Sequence, residues 1–311
     1  DVFVAKYDVM GTQQWSHQFG TSGDDGAGSI DIGSDGSVYF TGYTYGNMAG
    51  SNQGEMDVFV TKLNSAGTEQ WVRQVGTDVR DTAQDIAVDG DGNCYVTGWT
   101  AGSWGGPTHG GYDAFVLKLD GDGNEQWISQ VGTPEDDYAH GVDVDSAGRS
   151  YVAGETAGVI GQQSFGDGDG FLVRIDGSGA TDWITQVGTD ALDAAYGVAV
   201  SEDGRSVISG RTRGSLGSIN MGDLDAFATG FDTNGIQEWG WQDGTEFYDI
   251  SGNVVINSQG EATVLGQTKG DLYGINQGDR DFFLVSLPPV PEPTTMSLLA
   301  LGGLALLRRT K

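Results

Sequence analysis

Five tryptophans, Trp15, Trp71, Trp127, Trp183 and Trp239, stand 56 residues apart with no insertion or deletion between them. Asp1, Asp57, Asp113, Asp169, Asp225 and Asp281 keep the same step, as do Phe3, Phe59, Phe115, Phe171, Phe227 and Phe283. A fixed period of this length means that one supersecondary unit is copied along the chain, and that neighbouring copies bury each other's faces. The 311 residues hold five whole periods and the opening strand of a sixth.

Within the period 57 to 112, four short apolar runs alternate with turn chemistry, which predicts strands. They are Val58 to Leu63, Gln70 to Val75, Ile86 to Val88 and Tyr95 to Thr97. Asn64-Ser65-Ala66-Gly67 and Asp89-Gly90-Asp91-Gly92 close two hairpins, with glycine supplying positive φ. A longer glycine-bounded loop, Thr100 to Tyr112, returns to the next Asp-x-Phe. Both faces of Val58 to Leu63 are largely apolar, as expected of a sheet packed between two neighbours. Four short antiparallel strands per repeat form the pattern of an all-β propeller blade. The rival is a β-helix, whose rungs are shorter and do not need two hairpin turns per repeat.

The stretch from Gly76-Thr77 through Asp81, then Ile86-Ala87-Val88-Asp89, Gly92-Asn93 and Tyr95-Val96-Thr97-Gly98, resembles the bacterial SBBP-type β-propeller repeat. The resemblance recurs in all five periods, weakening at Val264-Leu265-Gly266, and implies a propeller fold with no defined activity. By analogy with related blades, the strand carrying Ile86 is innermost and the Trp-bearing strand outermost. In that phase the chain opens on the third and fourth strands of a blade, Val2 to Tyr7 and Gln14 to Phe19. It closes on three strands, ending with Phe282 to Leu287. The expectation is six blades with the first incomplete and further sequence before Asp1; five blades with overlapping termini, or seven, are the alternatives.

Residues 1–287 therefore form the propeller, and 288–311 a tail of different composition. The tail has Pro288-Pro289-Val290-Pro291-Glu292-Pro293, then an apolar run from Thr294 to Leu307, then Arg308-Arg309-Thr310-Lys311. The run is short against the ~20 residues that span a bilayer comfortably, and its basic end suits the cytoplasmic side. Pro291, Glu292 and Pro293 followed by Arg308 and Arg309 make this tail similar to the PEP-CTERM sorting signal of Gram-negative, exopolysaccharide-producing bacteria. The resemblance implies export to the cell surface or beyond through a transiently membrane-inserted precursor. It also implies processing by an exosortase-type enzyme, and a polysaccharide or a surface protein as partner.

Charge excludes other partners. With 44 Asp and Glu against 15 Lys and Arg, the net charge of -29 repels phosphate backbones, and no basic cluster offers a nucleic-acid groove. Cys94 is the one cysteine, which excludes an internal disulfide framework. His17, His109 and His140 occupy unrelated contexts, and no nucleophile elbow or His-Glu-x-x-His pair accompanies them. The chain is thus expected to be non-enzymatic and without cofactor, a binding or structural module. A propeller lyase or hydrolase using channel residues is the alternative.

Three features have competing readings. Asp89-Gly90-Asp91-Gly92-Asn93 and Asp120-Gly121-Asp122-Gly123-Asn124 resemble the front of a calcium loop, but Cys94 and Glu125 stand where glycine is needed sixth, so hairpin turns are the better reading. Asp25, Asp81, Asp137, Asp193 and Asp249 form either a carboxylate ring at one channel mouth or local acceptors for backbone N–H groups. The Trp15 series packs blade on blade or serves as a sugar platform, with packing preferred. Specific binding is expected on the long loops, where Trp104, His109, Phe165, Met221 and Tyr273 vary among recurring glycines.

Overall fold

A computed structural model describes residues 1–161 and 163–287 of the chain. The tail and its motif residues Pro291, Glu292, Pro293, Arg308 and Arg309 lie outside the described residues. Among the described residues every regular element is a strand, 21 in all, arranged in six sheets. Blade 1 holds β1 (Val2–Tyr7) and β2 (Gln13–Phe19). Blade 2 follows with β3 (Asp25–Ile32), β4 (Val38–Thr44), β5 (Asp57–Leu63) and β6 (Glu69–Val75). Blade 3 has β7 (Asp81–Val88), β8 (Cys94–Thr100), β9 (Asp113–Leu119) and β10 (Glu125–Val131). Blade 4 has β11 (Asp137–Val144), β12 (Ser150–Thr156), β13 (Asp169–Ile175) and β14 (Thr181–Val187). In blade 5 these are β15 (Asp193–Val200), β16 (Ser206–Thr212), β17 (Asp225–Phe231) and β18 (Gln237–Asp243). Blade 6 has β19 (Asp249–Ile256), β20 (Ala262–Thr268) and β21 (Asp281–Leu287).

Each complete blade is an antiparallel meander in chain order, which confirms the propeller and its phase. The first strands of successive blades, β3, β7, β11, β15 and β19, pack against one another on the axis side. The Trp-bearing strands are outermost. Among the described residues no strand pairing joins blade 1 to blade 6: β1 pairs only with β2, and β21 only with β20. Among the described residues the outer faces of these two sheets therefore have no neighbouring blade: Phe3 is 79% and Phe282 82% exposed, whereas their copies in blade 2, Phe59 and Val58, are fully buried.

The innermost strands are longer than the apolar pattern suggests. They begin at Asp81 rather than Ile86, so the Asp81 series opens the strand instead of preceding it. The polar run Thr82 to Asp85 reads as a connection because one side of it faces the axis and because a bulge breaks its alternation. The pairing register shifts between Ala83 and Asp85, and equivalently around His140, Tyr196 and Gly252.

Blade junctions are apolar, with polar fasteners at both edges. Tyr39, Val58 and Val60 of blade 2 pack on Ile86, Phe115 and Leu117 of blade 3, and equivalents do so at later junctions. On the outer edge, Trp71 donates its indole N–H to Gly121 O at 3.1 Å, and Trp127 to Gly177 O at 3.0 Å. The turn that meets Trp71 needs glycine twice over: Gly123 has φ +77, and a Cβ there would lie 2.8 Å from Cδ2 of the indole. On the inner edge, free strand N–H groups find carboxylates on the preceding blade. Val88 donates to Asp31 Oδ2 at 2.7 Å, Val142 to Asp85 Oδ2 at 2.9 Å and Val200 to Asp143 Oδ2 at 2.7 Å. The Trp15 series is thus blade-to-blade packing. Cys94 is buried in the same core, where desolvation pushes its thiol up to about 12.

Candidate binding site at the loop mouth

The long loops and the blade-to-blade connections share one mouth of the propeller, while the Asp-Gly hairpin turns lie at the other. Two buried series build the loop mouth. Asp81 Oδ2 accepts the Thr77 N–H at 2.6 Å and its hydroxyl at 2.9 Å, and Asp81 Oδ1 accepts the Thr100 hydroxyl. Asp137, Asp193 and Asp249 take the matching threonine N–H and hydroxyl groups, each residue 0% exposed. Of the two readings of this series, the structure supports local acceptors for backbone N–H groups. Burial, together with the neighbouring Asp57, Asp113 and Asp169 carboxylates, raises Asp81, Asp137 and Asp193 above the ordinary carboxylate range.

The second series is Gln74, Gln130, Gln186 and Gln242, which also recurs at 56 residues. Gln130 Nε2 donates to Asp113 Oδ2 at 2.7 Å and to Gly102 O at 2.9 Å, while its Oε1 accepts Trp104 N–H at 2.7 Å. One side chain thereby ties the long loop to its blade. The loop residues expected to bind are divided by this arrangement. Trp104 is buried against Phe115 at 4.8 Å, and His109 Nδ1 lies 3.6 Å from Asp113 Oδ2. Phe165, Met221 and Tyr273 are exposed, each on a different blade.

The structure brings together a different group, on and beside the inner strands. Trp99, on β8, lies 4.7 Å from Tyr112 and 6.0 Å from Tyr138 between ring centroids. Tyr138 stacks on His140 at 6.5 Å and 15°, and His140 lies 5.1 Å from Tyr196. Backbone geometry explains the assembly. Asp137 N–H bonds to Tyr112 O at 2.8 Å, drawing the end of one blade's loop to the start of the next blade's inner strand. His140 and Tyr196 are the extra residues of two equivalent bulges, a device that re-aims a side chain. All five rings are neither fully buried nor fully exposed.

Polar groups converge beside them. His140 Nε2 is 3.4 Å from Glu155 Oε1, and Arg211 Nη2 is 4.0 Å from Glu155 Oε2. The Arg211 guanidinium lies over Tyr196, 5.5 Å from its centroid. Burial works to raise Glu155, but His140 and Arg211 outweigh it and hold the carboxyl below its ordinary range. Burial drives the Tyr138 hydroxyl up to about 12, with the Asp136 carboxylate adding to it. Tyr196 is likewise raised by burial, against the pull of Arg211.

Comparison with known proteins matches two family models. The β-propeller repeat model SBBP matches residues 70–103 and 126–161, and the PEP-CTERM protein-sorting motif matches 289–311. The regulatory protein FlaEY of Caulobacter vibrioides is 29% identical over 154 residues, which are 44% of this chain and 16% of FlaEY. Among solved structures, a protein of unknown function from Bacteroides caccae aligns over 82% of this chain and 75% of its own with a TM-score of 0.47 and 10% identity. A gluconolactonase from Xanthomonas campestris aligns over 85% and 72% with a TM-score of 0.46 and 15% identity. The sorting motif marks the chain for export to the cell surface or extracellular space, with a membrane-anchoring tail and exosortase-type processing. Two stretches of the chain thus match β-propeller repeats of the SBBP type, and its C-terminus carries a PEP-CTERM sorting motif.

Proposed function

We propose that the exported propeller is a non-enzymatic glycan-binding module whose contact surface is the ring group at the loop mouth. The carrying observation is the contiguity of Trp99, Tyr112, Tyr138, His140 and Tyr196 on a frame held rigid by the Gln130 and Asp137 hydrogen bonds. Sugar rings present C–H faces with slight positive charge, which pack on the negative faces of aromatic rings, while their hydroxyls seek planar donors and acceptors. Half-buried rings beside His140, Glu155 and Arg211 offer both. A polysaccharide ligand also accords with the surface address of the sorting motif.

The convergence of His140, Glu155, Arg211 and Tyr196 favours a second reading, a propeller lyase or hydrolase. Against it, these side chains engage one another: His140 and Arg211 both lie against Glu155, at 3.4 and 4.0 Å, and the Arg211 guanidinium lies over Tyr196. A glycan array probed with the full chain, followed by a reducing-end assay on every glycan bound, tests both. Binding without product, lost in Trp99→Ala, supports the module. Product formation abolished by His140→Ala would replace it with an enzyme.

A further inference from the structure

The rings at the loop mouth form an unbroken series rather than a cage. From Trp99 on β8 the contacts pass through Tyr138 and His140 on β11 to Tyr196 on β15, so the series crosses three blades, and Arg211 lies over its far end. A single sugar unit covers one or two of these faces. Successive faces across three blades suit a linear chain lying along the mouth.

Charge narrows the chain's chemistry. Asp136 is exposed beside the series, its Oδ2 3.4 Å from the Tyr138 hydroxyl and its Oδ1 accepting the Tyr112 N–H. The one permanently cationic side chain of the series, Arg211, faces Glu155, which offsets it, and His140 lies against the same carboxylate. A polyanion would meet net negative charge here, within a protein of net charge -29. An ammonium group over the Trp99, Tyr112 or Tyr138 face, beside the Asp136 carboxylate, is attracted by both, whereas Tyr196, with Arg211 over it, packs against a sugar C–H face.

We propose that the mouth binds a linear amino-sugar chain bearing free amino groups, with Trp99 and Tyr196 in separate subsites. This rests on the glycan-binding reading above. The test is isothermal titration of the full chain with β-linked glucosamine dimer and hexamer and with the fully N-acetylated hexamer. The glucosamine hexamer is expected to bind at least about tenfold more tightly than either the dimer or the N-acetylated hexamer. Its affinity should fall with added salt, and Trp99→Ala and Tyr196→Ala should each weaken it about tenfold. Equal affinity for dimer and hexamer overturns the multi-blade chain, and equal affinity for the two hexamers overturns the amine. In both cases, binding that is lost in Trp99→Ala leaves the glycan-binding module standing. Absence of binding to all three ligands, together with a blank glycan array, overturns both proposals.

Discussion

The indole Nε1 of Trp71 and the carbonyl oxygen of Gly121 lie 3.1 Å apart across the junction of blades 2 and 3, and the same step recurs between Trp127 and Gly177. Trp183, in blade 4, has no such acceptor for its buried indole N–H among the described residues. Trp71→Phe should therefore cost about 1 kcal/mol more than Trp183→Phe, the worth of one hydrogen bond across a packed junction. Paired urea denaturation curves check the difference. Gly123→Ala, which meets both φ +77 and the Trp71 ring, should be the harsher change at about 3 kcal/mol.

Asp143 gives the inner edge a pH dependence. Burial first, then the charges of Asp31 and Asp85, raise its carboxyl to about 6, against the hydrogen bonds from Val200 and Val144. A carboxyl raised on folding favours its protonated form in the native state. Its contribution to stability is therefore present below the ordinary value of 3.8 and lost as pH rises through about 6. Asp143→Asn keeps an acceptor for Val200 and removes the charge. The variant should be more stable than wild type by about 1–2 kcal/mol near neutral pH, and the gap should close toward about pH 4. A gap that does not change with pH would contradict the assignment.

Much of this was legible in the sequence, and what was not has a physical reason. Period, strand order and phase follow from Trp15, Asp57 and Phe59 and their copies, because a packed junction demands the same residue at each step. The inner strands looked too short because Thr82 to Asp85 is polar toward the axis and bulged. The Gln74 series recurs as strictly as the tryptophans, yet a glutamine on an outer strand gives no sign that its amide reaches a loop. The ring group was hidden for the opposite reason. Trp99, Tyr138, His140, Glu155 and Arg211 stand at positions whose copies differ from blade to blade, so the repeat that reveals the fold conceals the site.

Loop anchoring is testable through Gln130. Replacement by Ala removes the bonds to Asp113, Gly102 and Trp104 together. Hydrogen exchange should quicken at least about tenfold over residues 101 to 112 and remain near wild type in blade 5, since repeats couple mainly to their neighbours.

The Asp-Gly turns use their carboxylates internally. Asp89 Oδ1 accepts the Asp91 and Asn93 N–H groups at 3.0 and 2.9 Å, and Asp120 Oδ1 accepts those of Asp122 and Asn124 at 3.0 and 2.8 Å. No group of three metal-ligating side chains is found among the described residues. Millimolar calcium or a chelator should accordingly leave the melting midpoint of the full chain within about 1 °C, whereas ligand-linked stabilisation would raise it by several degrees.

Hydrogen exchange of the full chain with and without a bound oligosaccharide tests the central claim most directly. Protection should appear around Trp99, Tyr112, Tyr138 to His140 and Tyr196 at the loop mouth, with none at Asp89–Asn93 or Asp120–Asn124 at the other. Protection at those hairpin turns, or over the exposed faces of Phe3 and Phe282 instead of the ring series, would contradict it.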